Sequence, residues 1–107
     1  MNPLEKLKAQ LAASLQAIGI DPSGIFVTER GIALPFAEMQ VSLKTINGER
    51  VWQCVERYSA RGLGTDEEKP RMITRFEEPM DQPLRIARSI ALHVAAVRVD
   101  AALDDVA

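Results

Sequence analysis

One histidine, His93, and one cysteine, Cys54, carry the side chains best suited to catalysis or metal ligation at neutral pH. A catalytic imidazole needs a nucleophile or a carboxylate held beside it. On a helix the neighbours of His93 are Ser89, Ala96 and Val97, three or four positions away. That leaves a bare Ser–His pair with no third group. Cys54 alternates with Trp52 on what reads as the apolar face of a strand, the setting of a small core residue rather than an activated thiolate. A metal site calls for further His or Cys ligands, and Asp66, Glu67 and Glu68 do not follow the spacing of a calcium loop. "RGLG", Arg61 to Gly64, lacks the Gly-Lys-Ser/Thr of a phosphate loop, and no helix opens after it. The expectation is a non-enzymatic protein with no catalytic residues, no metal and no cofactor.

Composition sets the frame for what else the chain does. Its 107 residues are 47% hydrophobic and 26% charged, with a formal net charge of −2. This predicts one ordered domain spanning 1–107, with a core but no global basic field to attract nucleic acid or an anionic membrane. A lone cysteine, an N-terminus without an apolar signal core and the lack of an apolar run near the ~18 residues of a membrane span predict a cytoplasmic protein.

The elements that position these residues are readable from period and punctuation. Asn2 suits an N-cap, Pro3 the first helical position and Glu5 a capping-box spacing; Leu4, Leu7, Leu11, Leu15 and Ile18 draw one apolar stripe, and Gly19 ends the helix. "DPSG" is a turn, and "IFVTERGIALPF" reads as two short strands around Glu29, Arg30 and Gly31, the second an edge strand or interrupted at Pro35. "MQVSLKTINGERVWQCVERY" is the strongest local signal. Asn47-Gly48 is the preferred dipeptide of a type I′ hairpin, and a two-residue loop sets Leu43 opposite Trp52 and Val41 opposite Cys54. Met39 and Tyr58 extend that face, while Gln40, Ser42, Lys44, Gln53 and Arg57, with Ile46, Val51 and Val55, take the other. Ser59 to Arg71 has no period and reads as a long loop. "MITRFEEP" is a fifth strand with Met72, Thr74 and Phe76 on one face, and Asp81 caps the last helix. The order α-β-β-β-β-β-α predicts an α+β two-layer sandwich, an antiparallel sheet of four or five strands covered on one face by the N-terminal and C-terminal helices.

The last helix carries more apolar surface than one sheet can cover. Ile86, Ala87, Ile90, Val94, Val97 and Ala101 make a ridge for the sheet, and Leu84, Ala91, Ala95 and Ala102 make a small-residue flank for the first helix. Leu92, Ala96, Val99 and Leu103 lie nearly opposite that ridge, with His93 on the polar margin. This second strip predicts self-association into a homodimer; folding of the N-terminal segment or of the Arg61–Lys69 loop over it is the competing explanation.

Nucleic-acid binding is the runner-up. A helix, three strands and a final helix is the order of double-stranded-RNA-binding domains, which place a lysine cluster at the start of the last helix; here that position reads Asp81-Gln82-Pro83-Leu84-Arg85. Arg50, Arg57, Arg61, Arg71 and Arg75 could gather at one sheet end with the 59–71 loop, but Glu49, Glu56, Glu67, Glu68 and Glu77 alternate with them and cancel most of the field. In order and charge the layout is similar to the small acidic α+β chaperones of secretion systems, which dimerise through a helix; no motif carries the likeness. The reading favoured is a protein-binding module, homodimeric, acting as an adaptor or as an inhibitor of a larger assembly, of the kind phage and mobile elements encode against host defence complexes. For an external protein partner the candidates are Lys44, Val51, Val55 and Arg57 on the outer sheet face, with Arg61 and Leu63 in the loop.

Overall fold

The first helix, α1, spans Pro3–Ala17 and begins where the punctuation places it: the Asn2 side chain accepts from the Leu4 backbone N–H at 2.9 Å. It ends in a Schellman motif. The N–H of Ile20 donates to the Leu15 carbonyl and that of Gly19, at φ 80°, to Gln16, while Ile20 and Leu15 are both buried. The structure, a computed structural model, describes residues 2–58 and 71–106. The readings that fall on Arg61, Leu63, the acidic run 66–68 and the Tyr58 side chain lie outside what is described.

Among the described residues five strands form one antiparallel meander in the order β1 (Phe26–Thr28), β2 (Gly31–Leu34), β3 (Met39–Ile46), β4 (Glu49–Tyr58) and β5 (Arg71–Pro79). The second helix, α2, follows over Pro83–Asp104. Both helices cover one face of the sheet, an α+β sandwich as the pattern implies. Leu7, Leu11 and Leu15 from α1, Ile32 and Leu34 from β2, Val41, Trp52 and Cys54 from the hairpin, and Ile86 and Ile90 from α2 are buried in one core. "DPSG" closes as a single 3₁₀ turn, capped by Asp21.

The hairpin has the register read from its turn. Leu43 faces Trp52 and Val41 faces Cys54, with Asn47 and Gly48 at φ 52° and 80° as a type I′ turn requires. Pro35 ends β2 rather than marking an edge: it opens a 3₁₀ turn, and β2 lies between β1 and β3, the sheet edges being β1 and β5. Gly31 is needed at its place in β2. Its φ is 145°, and a Cβ there would run into the Val41 carbonyl.

Three expectations are corrected. Met72, Thr74 and Phe76 do not share a face, because the β4–β5 register shifts by one residue between Cys54 and Val55. Phe76 pairs with Cys54 but Thr74 pairs with Val55, so Arg75 is the extra residue of a bulge and Ile73, opposite Glu56, joins Phe76 on the helix side. The N-cap of α2 is Gln82, without a side-chain cap, rather than Asp81. The sheet-facing ridge of α2 ends at Val94: Val97 and Ala101 are exposed, because the 22-residue helix, about 33 Å long, runs past the core.

Candidate functional site

All residues from Ala96 to Asp104 at the end of α2, and Asp105 and Val106 after it, are exposed. Up to Val94 the helix is an ordinary amphipathic element, with Ile86, Ala87, Ile90, Ala91 and Val94 buried. Beyond that point it continues to carry valine, leucine and alanine on several sides. Leu92 is 66% exposed, Val99 58% and Leu103 63%. The strip Leu92–Ala96–Val99–Leu103 is thus open, Leu92 included. A helix end apolar on several sides gains by burial against another surface.

The strip leads into a groove between α1 and α2. Gln10, Ser14, Ala17 and Ile18 form one wall and Leu84, Arg88, Ala91 and Leu92 the other, enclosing about 400 Å³ of open space. Leu92 belongs to both features, so groove and strip are one continuous apolar surface with Arg88 in its wall. Composition alone gave no sign of the groove, although the small residues at Ala13, Ser14 and Ala17 are what keep it open.

On the sheet side of α2 lies a polar cluster. Glu56 accepts from Arg75 Nε at 2.7 Å and meets His93 Nε2 at 3.1 Å, with the carboxylate side chain only 16% exposed. The bulge at Arg75 turns that guanidinium toward the helix-facing side of the sheet, and Phe76 meets the His93 ring edge-on at 5.9 Å. Burial pushes the Glu56 carboxyl up, but hydrogen bonds from His93 and Arg75 and their charges outweigh it and hold the group below its ordinary value. His93 is therefore half-buried and paired, not a solvated residue of the helix margin, and Ser89 is not its hydrogen-bond partner. The crevice beside it, walled by Phe36, Val94, Val97 and Arg98, holds about 60 Å³, room for water but far below the ~300 Å³ of a small-molecule site. Burial, reinforced by the nearby Glu56 charge, pushes the Cys54 thiol up to about 12. Through Glu56 the cluster links α2 to β4 and β5. The hairpin register already put Glu56 in step with Trp52 and Cys54 on the inner face, and that parity was the available signal for it.

The outer sheet face gathers the other candidates. Lys44 pairs across the hairpin with Val51, and Val55 and Arg57 follow on the same side of β4; Lys44 and Arg57 are exposed and the two valines half-buried. The arginines do not converge: Arg50 sits at the Asn47-Gly48 end, Arg57 and Arg71 at the other, and Arg75 is taken by Glu56. Among the described residues no three His, Cys, Asp or Glu side chains are grouped to hold a metal ion, and no helix is long and apolar enough to cross a membrane. Comparison with known proteins finds no matching family model, no matching curated protein and no matching solved structure, so function rests on the residues themselves.

Proposed function

We propose that this chain is a non-enzymatic protein-binding module that works as a homodimer, joined through the Leu92–Ala96–Val99–Leu103 strip of α2. One observation carries the reading: the C-terminal half of α2 stands beyond its own core with Val97, Val99 and Leu103 exposed, and Val106 just after it is exposed as well. Isolated helical turns of this kind are marginal in water, and most helix stability in proteins comes from packing an apolar face. A second copy supplies that packing. The outer face of the sheet, with Lys44, Val51, Val55 and Arg57, is left free for an external protein, and the module then acts as an adaptor or as an inhibitor that occupies a surface of a larger assembly. Mixed charge and half-buried valines on that face suit a protein partner of modest affinity.

The variant Val99→Asp tests the reading. Light scattering should give a dimer for the unmodified chain and a monomer for the variant, with the far-ultraviolet circular dichroism of the two nearly superimposable. Loss of fold in Val99→Asp would show the strip to be core, and an unmodified chain that is monomeric at high micromolar concentration would remove the homodimer.

A further inference from the structure

We infer that the groove between α1 and α2 binds a single-chain aliphatic carboxylate of medium length, with its tail along the apolar walls and its head on Arg88. Binding there needs no second copy of the chain. The groove has the capacity: its volume of about 400 Å³ falls inside the roughly 300–1,000 Å³ of small-molecule sites. Its walls are chiefly apolar, with Ala13, Ala17 and Ile18 on one side and Leu84, Ala91 and Leu92 on the other. The lining runs from Gln10 to Ile18 along α1 and its C-cap and from Leu84 to Leu92 along α2. At 1.5 Å of rise per residue that is a trough about 12 Å long, a shape that suits an extended aliphatic chain. Small side chains on the α1 wall let such a chain lie deep between the helices, where burial of its methylenes drives binding.

Charge selects the head group. Among the described residues Arg88 is the one charged side chain of the lining, and no carboxylate lines the groove with it. Glu5, Asp100 and Asp104 are the only acids of the two helices, and none of them borders the groove. Arg85, three positions earlier, turns instead to Glu78 on β5, at 4.0 Å. An exposed guanidinium in an apolar wall, with no acid in that wall, fits a carboxylate through two parallel N–H···O bonds. The match is one charge to one, whereas a phosphate monoester brings nearly two. Ser14, half-buried in the α1 wall, adds a hydroxyl donor.

Titration of isotope-labelled protein with decanoate, below its micelle threshold and followed through the backbone amide resonances, tests the site. The result expected is saturable shifts at Gln10, Ser14, Ala17, Leu84 and Arg88, with one decanoate bound per chain. Decanol should bind more weakly than decanoate, and decylamine more weakly still. Arg88→Gln should weaken decanoate about tenfold and leave decanol unchanged. Ala17→Trp, at an exposed position, fills the trough and should abolish binding of both; Ala13→Phe, exposed as well, should do the same should the tryptophan disturb the fold. Val99→Asp lies outside the lining and should bind decanoate like the unmodified chain, so loss of the homodimer and loss of the ligand site are separate results. Shifts that gather at Ala96, Val99 and Leu103 instead, or no saturation into the millimolar range, would overturn the site. Equal affinities for decanoate and decylamine, or an Arg88→Gln chain that binds decanoate unchanged, would overturn the carboxylate.

Discussion

Glu56 shows how one residue's surroundings decide its meaning. Read along the chain it is one acid among several alternating with arginine. In the fold it bridges α2 and β5 through His93 and Arg75. Because its folded carboxyl sits below the ordinary value, it contributes stability above the unfolded carboxylate pKa, and that contribution is lost as pH falls through the folded value. Glu56→Gln is therefore expected to lower stability by about 1 kcal/mol near neutrality, and the gap from the unmodified chain should close on acidification below about pH 4. Thermal unfolding from pH 7 to pH 3 measures this; a gap independent of pH would show that the carboxylate charge contributes nothing. His93 and Glu56 lie 37 positions apart, and no local pattern joins them. The parity of Glu56 with Trp52 and Cys54 was legible, and the arrival of His93 opposite it was not, since that depends on how α2 crosses the sheet.

Elements with local rules were legible, and those set by strand pairing were less so. The Asn47-Gly48 turn dictates its own register, and the Asn2 cap and Gly19 end of α1 follow from backbone chemistry within a few residues. The bulge at Arg75 leaves no mark on strand alternation until β4 is laid beside β5, so the face of Met72 and Thr74 was misread. Gly31 makes a test at this scale. Gly31→Ala forces a side chain into the Val41 carbonyl at a φ few L-residues adopt, and is expected to cost about 2 kcal/mol or more in urea unfolding. A change under about 0.5 kcal/mol would mean that β2 and β3 can separate freely there. Within α2 the two halves should respond differently. Ile90→Ala, in the core, should cost about 3 kcal/mol at any concentration. Leu103→Ala should leave the fold intact and lower stability only where the protein is concentrated enough to associate.

At the scale of the whole molecule, one sandwich core takes up α1, the inner sheet face and the first half of α2, and leaves the second half of α2 with apolar side chains in the open. The excess of apolar surface on the last helix was legible because it is a matter of counting helix faces. Where the ridge stops was not, because it depends on how far the sheet extends beneath the helix; Val97 and Ala101 continue the pattern but outrun the core. The central claim, that a second copy covers this surface, is tested most directly by sedimentation equilibrium of the unmodified chain from low to high micromolar concentration. The result predicted is a reversible monomer–dimer equilibrium with the dimer dominant at the upper end. A single species of 11.8 kDa throughout the series would contradict it.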